Sequence, residues 1–378
     1  MKIDKVTDWL IRKTLVPRLV TFDTPGFIQE AFTFLSKVKF PLRNVILVES
    51  VFADLERQLT SEFGGRAKNV LYQSGRDFGR RYCNLEKVPN ISDDNRAQTF
   101  YFFIKTFETV FAEELKDEVD WDKKRFSLNI KKFIICPKSG SGAFFTEGVV
   151  TGYWRSICDD ATIEGIQVSC EGRGDKNCSA VYGPHSLLSK EFKNVYKTER
   201  EEKIAVPKEY ASMNKTIERR SNYAVSMQNL LDSKKVIYDV GKFLYKGERL
   251  FPMELSSLQI LERKILESFG KAGQKIVFDS AYKIGNDLAQ SEVNKEKEAR
   301  FIAEHISAFG FGMPTIIPSE SVKIYVSGFP WSEYFSSDTN KYFEGLISGM
   351  ASCFFKGAKV GISFKKKTTW DATVSIGG

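Results

Sequence analysis

Phe63-Gly64, Val70-Leu71-Tyr72, Ser74 and Gly79 recur without a gap as Phe269-Gly270, Ile276-Val277-Phe278, Ser280 and Gly285, every pair 206 residues apart. Downstream, Glu147-Gly148-Val149-Val150-Thr151-Gly152 recurs as Glu344-Gly345-Leu346-Ile347-Ser348-Gly349. Upstream, Phe34-Leu35 with Phe40-Pro41 recurs as Phe243-Leu244 with Phe251-Pro252. Matches that keep one order along a chain mean two copies of one domain. A chain of 378 residues is long enough to give each copy its own core.

Hydrophobic periodicity then assigns elements within each copy. In the first, Phe27 to Leu35 reads as a short helix, and residues 44–63 carry Val48, Val51, Phe52, Leu55 and Leu59 on one helical face. Further helices are predicted at 66–82 and 97–115, the latter with Phe100, Phe103, Phe107, Val110 and Phe111 at helical spacing. The period changes at Phe126, Leu128 and Ile130, which alternate with polar residues as a strand does. A helix over 144–158 follows, then a hairpin of Ile163–Cys170 and Cys178–Tyr182 around a Gly172–Asp175 turn. The second copy repeats this order with helices near 254–268, 272–289 and 295–309, a strand at 322–326 and a helix over 344–355. Its terminal hairpin is predicted at 358–364 and 370–376. The expected fold class is α+β, with two repeated domains, each made of helices packed on a small antiparallel sheet that ends in a β-hairpin. Domains are expected at 1–185 and 235–378, joined by a charged, partly helical linker over 186–234. Residues 1–20 read as a basic amphipathic segment that packs on its own domain or at a dimer contact, the alternative being a helix resting on a membrane.

Composition narrows the function classes. The net charge of +8 is spread among interspersed lysines and acids, so no nucleic-acid partner is expected. Five of the six cysteines fall in the first copy; a disulfide framework would repeat with the domain, so a reduced, cytoplasmic protein is expected. No run approaches ~18 apolar residues, so no transmembrane segment is expected. There are only two histidines, no Gly-x-Gly-x-x-Gly fingerprint, no Walker loop, and no serine or cysteine with a histidine partner. A non-enzymatic protein is therefore expected.

In the first copy, Glu147-Gly148 and Gly152 are followed by Cys170-Glu171-Gly172-Arg173-Gly174-Asp175-Lys176-Asn177-Cys178. A Glu-Gly helix, a strand and a Cys–Gly-Asp–Cys hairpin resemble the 4-vinyl reductase domain family, most specifically over the last ~40 residues of the copy. The second copy keeps the Glu-Gly helix but carries Lys365, Lys366, Lys367 and Trp370 in its hairpin, and looks like a diverged domain of the same kind. The resemblance implies small-molecule-binding sensory modules, a fold similar to TRAPP subunits and to haem-based nitric-oxide sensors, and dimerisation through the helices. A tandem copy would then form an internal pseudo-dimer. It also implies zinc, held in some members by the cysteine pair, an acidic residue three before it and a further cysteine. Here those last two positions hold Gln167 and, near the helix start, Ala143 or Phe144. Zinc takes four donors, so Cys158 is the expected third beside Cys170 and Cys178, with His185 or Asp175 the fourth. A plain buried thiol pair and a redox-switchable pair remain open as alternatives. Haem would need an axial ligand; His305, among Phe301, Ile306 and Phe309, reads as structural.

A small apolar or aromatic ligand would sit between helices and sheet, where Phe103, Phe107, Phe111, Tyr153 and Trp154 are the candidate lining; plain core packing is the competing reading. The expected function is ligand binding or sensing. The alternative is a scaffold or tethering protein that works through protein–protein assembly. On either reading a protein partner or homo-oligomer is expected.

Overall fold

The computed structural model describes residues 20–30, 42–85, 93–197, 223–239, 242–290, 298–317, 322–329, 340–355, 357–365 and 371–377. The amphipathic segment expected at the N-terminus, Phe34-Leu35, Phe40-Pro41, Lys366, Lys367, Trp370 and residues 198–222 of the expected linker lie outside this set.

The first half begins with β1 (Val20–Thr21), β2 (Ile28–Glu30) and β3 (Leu42–Val48), then α1 (Glu49–Leu85) and α2 (Asp93–Phe111). Next come β4 (Glu114–Asp120), β5 (Arg125–Lys131), α3 (Cys136–Ser139), α4 (Phe144–Cys158), β6 (Ile163–Ser169), β7 (Cys178–Pro184) and α5 (His185–Glu191). After α6 (Met227–Asp232), the second half runs β8 (Val236–Asp239), β9 (Lys242–Tyr245), β10 (Glu248–Glu254), α7 (Ser256–Gln290) and α8 (Glu298–Ala308). It ends with β11 (Met313–Ile317), β12 (Val322–Ser327), α9 (Lys341–Phe354), β13 (Lys359–Lys365) and β14 (Asp371–Gly377). The fold class is α+β, and every strand pairing is antiparallel.

Two four-stranded sheets have the same order, β4-β5-β7-β6 in the first half and β11-β12-β14-β13 in the second. The hairpins and the helices over 144–158 and 344–355 fall where the periodicity puts them. The long helices α1 and α7 each take in two predicted helices, which meet at a kink where the sequence reading separates them. Each bends at one glycine, Gly64 (φ 57°) and Gly270 (φ 60°), in the left-handed region that a residue with a Cβ rarely enters. Those glycines are the Phe-Gly pairs that open the sequence repeat, and the two phenylalanines, Phe63 and Phe269, stack on each other at 4.2 Å.

The upstream part of each copy departs from the sequence reading. Residues 28–30 and 42–48 are strands, not helix. Val45-Ile46-Leu47-Val48 is a contiguous apolar run, each residue 3% exposed or less, and such a run suits a strand covered on both faces. These strands build a third, six-stranded sheet of order β1-β2-β3-β10-β9-β8, three strands from each half. At its centre Val48 pairs with Leu250, Ile46 with Pro252 and Asn44 with Glu254. Ile46 and Pro252 are 206 residues apart, so the register places repeat-equivalent residues opposite each other. Buried Arg43 of β3 donates to the Gly310 carbonyl of the second half (2.9 Å), and its repeat counterpart Arg249 donates to the Lys132 carbonyl of the first (2.8 Å).

In each half the Glu-Gly helix crosses the long helix so closely that backbones touch. A Cβ on Gly148 would stand 2.0 Å from the Tyr72 carbonyl oxygen, and one on Gly152 2.2 Å from that of Arg76. In the second half, Gly345 and Gly349 would meet the Phe278 and Tyr282 carbonyl oxygens at 2.4 and 2.0 Å. The repeated glycines are thus the contact surface of a helix crossing, which positions the residues between them.

Candidate functional site

Three cysteines meet at the end of the first half's sheet. Cys136 stands on the one-turn helix α3, Cys170 follows β6 and Cys178 opens β7. Their sulfurs lie within 4.8 Å of one another, with Cys136 Sγ 2.6 Å from Cys170 Sγ and 3.0 Å from Cys178 Sγ. All three are buried. The hairpin turn is tied by the Asp175 carboxylate, which accepts from the Cys170 N–H at 2.7 Å. Gly172 is required there because a Cβ would fall 2.0 Å from the Cys136 carbonyl oxygen. On the other side Ile135 holds φ 73°, an uncommon conformation for a β-branched residue, and its N–H bonds Glu49 Oε1 at 2.8 Å.

Hydrogen bonds from the Cys136 and Cys178 thiols, helped by the Arg173 and Gly172 N–H groups, outweigh burial and hold the Cys170 thiol at about 2. Hydrogen bonding to Cys170 and Cys178, then burial, pushes Cys136 up. Three buried sulfurs this close together are a soft donor set that fits zinc or another thiophilic metal. Gln167 braces the set from outside, donating through Nε2 to Cys136 Sγ (3.1 Å) and accepting from the Ala143 N–H through Oε1 (3.3 Å).

This set corrects the expected donors. Cys136 takes the place given to Cys158. Cys158 ends α4, whose first residue adjoins the cluster; a helix of 15 residues carries it ~20 Å away. Burial pushes its thiol up to about 12, an inert apolar setting. His185 starts α5 and bonds Thr162 beyond the opposite end of β6, so it is no ligand either. Asp175 is engaged with the turn.

Beside the cluster, between α1, α4 and β6, lies a buried polar chamber that the sequence reading missed. Arg155 and Glu164 are 0% exposed and pair at 2.6 Å. The Tyr72 hydroxyl bonds Glu164 (2.6 Å) and Thr151 (3.1 Å) and accepts from the Gly165 N–H (2.8 Å). Glu56 accepts from the first N–H groups of α4, those of Phe144 (3.2 Å) and Phe145 (3.0 Å), as carboxylates do at helix N-termini. Burial nevertheless pushes Glu56 up to about 8. Glu147 is likewise raised to about 8 by burial, and its Oε1 has no hydrogen-bond partner; the buried Tyr182 hydroxyl has none either.

The aromatic candidates occupy the opposite side of α4. Phe103 stacks on Tyr153 at 4.3 Å and touches Phe107, which contacts Phe111 and Phe133. Trp154 packs separately, against Phe100, Trp121 and Phe126, and donates to the Lys124 carbonyl at 2.8 Å. These rings fill the space between helix and sheet by touching one another.

The second half keeps one element of this chemistry. Glu262, 206 residues after Glu56, accepts from the first N–H groups of α9, Lys341 (2.8 Å) and Tyr342 (3.0 Å), and burial raises it to about 7. Glu344 instead pairs with Lys341 near the surface. His305 is buried among Tyr245, Phe301 and Phe309, and burial drops it to about 3, a neutral ring in an apolar setting.

No family model and no curated protein matches the chain. Among solved structures, it is similar to the phenol-responsive sensory domain of the transcription activator PoxR, determined with phenol. Identity is 14%, over 51% of this chain and 100% of that one, with a TM-score of 0.34. A likeness that faint decides neither fold nor ligand. Among the described residues, no helix is long and apolar enough to cross a membrane.

Proposed function

We propose that this chain is a non-enzymatic ligand-binding or sensory protein made of two 4-vinyl-reductase-like halves joined as an internal pseudo-dimer. The first half is the sensor, with a structural metal held by Cys136, Cys170 and Cys178. The second half completes the pair. The observation that carries this reading is an asymmetry: two halves of matching topology, of which the first gathers three buried thiols and a buried ion pair. Buried charges and clustered thiols are costly unless they hold something, and the half that retains them is the one expected to bind.

Native mass spectrometry before and after denaturation, with metal analysis, tests it. One zinc per chain is expected in the parent and in Cys158→Ser, and none in Cys136→Ser. A metal lost from Cys158→Ser but kept in Cys136→Ser would reverse the assignment. The self-filled aromatic layer around Phe103, Phe107 and Tyr153 favours a second reading, a scaffold that acts through protein–protein assembly. A metal-free, ligand-free parent that assembles with further copies or other proteins would favour it.

A further inference from the structure

Residues 192–197 run back from α5 toward the chamber in no regular structure. Within them, the Tyr196 ring lies flat on Tyr72, centroids 3.8 Å apart and planes 7° apart. Tyr72 is itself 0% exposed, and its hydroxyl is fixed from three sides, so it offers a rigid aromatic floor. The next residue, Lys197, lines an open cleft of about 330 Å³ with Thr162, His185 and Ser186. The strap therefore runs along an opening while its ring reaches inward. The two orphaned polar atoms, Glu147 Oε1 and the Tyr182 hydroxyl, belong to the same chamber. Glu147, Glu56 and Glu164 act electrostatically on the Tyr196 hydroxyl, whose proton burial holds on more tightly than usual.

We infer that Tyr196 is a built-in, displaceable occupant of a binding site between α1, α4 and the edge strand β6, and that the site takes a flat ring of the size of its own. This rests on the ligand-binding reading above and adds how the site is kept closed. The floor is aromatic, and stacking on it is sequence-neutral surface that any flat ring can use. The polar walls are already engaged, since Glu164 pairs with Arg155 and Glu56 accepts from the Phe144 and Phe145 N–H groups, so no free charge faces a guest there. An external ring with a hydroxyl would stack on Tyr72 and offer a partner to Glu147. Tyr196 would leave along the cleft side, and residues 192–197 would carry the signal away from the domain. An intramolecular occupant weakens an outside ligand by the fraction of time the site is open.

The probe is 4-methylphenol, the tyrosine side chain without its backbone, titrated into the full chain by calorimetry. Tyr196→Ala is expected to bind it at least ~10-fold more tightly than the parent, the effect of a site closed nine-tenths of the time. Tyr196→Phe, which keeps the stacking ring, is expected to stay within a few-fold of the parent. A second measurement does not depend on how the variant folds: 3-fluorotyrosine is placed at position 196 alone, and its fluorine resonance is followed as the probe is added to the parent. Movement from the stacked to the free position is expected. Equal affinity in parent and Tyr196→Ala with an unmoved fluorine signal would overturn the plug, yet leave ligand binding elsewhere intact. Absence of binding to either protein would overturn it too, and the metal analysis above would then decide separately whether the first half has any sensor chemistry.

Discussion

Compared element by element, the two halves agree in topology and disagree in side chains. Both long helices bend at the repeat glycine, both Glu-Gly helices touch the long helix through glycines, and both accept a buried glutamate at their N-terminus. Positions that serve chemistry rather than contact have drifted. Counting along the repeat, Tyr72 becomes Phe278, Arg76 becomes Tyr282 and Arg155 becomes Ser352. Each change removes a polar group from the chamber, and the three thiols have no counterpart because Cys353 is the one cysteine of the second half. Where a Cβ would stand about 2 Å from a backbone oxygen no added atom is tolerated, so both copies keep their glycines; a buried ion pair can be exchanged for a smaller polar residue when nothing has to be held.

Four perturbations break or sharpen this comparison. The largest effect is expected from Arg155→Met, which leaves Glu164 buried without its closest partner and costs about 3–5 kcal/mol. Urea denaturation should show the loss in the first half, whereas Ser352→Ala should cost under ~1 kcal/mol. Next, Gly152→Ala and Gly349→Ala should destabilise their own halves by similar amounts, about 3 kcal/mol each, since each inserts a methyl into a backbone contact. A large loss in one and none in the other would mean the crossings are not equivalent. Third, Cys136→Ser should lower the melting transition of the first half by roughly 5–10 °C in calorimetry, with Cys158→Ser well below that.

The smallest effect concerns pH. Glu56 and Glu262 are easier to ionise in the unfolded chain, near 4.5, than in the folded one, near 8 and 7. Their stabilising contribution is therefore fully present below about pH 4.5 and falls as pH rises, ending near 8 for Glu56 and near 7 for Glu262. Glu56→Gln and Glu262→Gln should each remove part of that slope, at a cost near ~1 kcal/mol at pH 6. Stability of the parent that rises between pH 5 and 8 would contradict the direction of both shifts.

Much of each half is legible in the chain. The Glu-Gly helices, the hairpins and the bends at Gly64 and Gly270 follow from local period and from glycine chemistry. The central sheet is not, because β3 finds its partner about 206 residues away, and Val48 belongs equally well to the helical spacing that continues through Val51, Phe52 and Leu55. Cys158 is near the cysteine pair in sequence and remote in space, because an intervening helix is a rigid spacer. Cys136 is 34 residues from Cys170 and arrives through a turn at Ile135 that no spacing motif encodes. One missed residue did leave a signal: Glu56 and Glu262 share the 206-residue offset, as do Leu55 and Leu261 just before them, so the repeat extends upstream of Phe63. Tyr196 left none, being one of several aromatics scattered through a charged stretch.

The pairing of β3 with β10 also decides what would happen if the halves were produced as separate chains. Each would present a strand with a buried apolar centre and a bare row of amide and carbonyl groups, the template on which aggregates grow. Within one polypeptide those two templates satisfy each other at every synthesis, and the sheet ends instead in the short strands β1 and β8, of two and four residues. Fusion thus acts as a solubility device: it guarantees that the stickiest surface of either half is quenched by the other before a stranger can reach it.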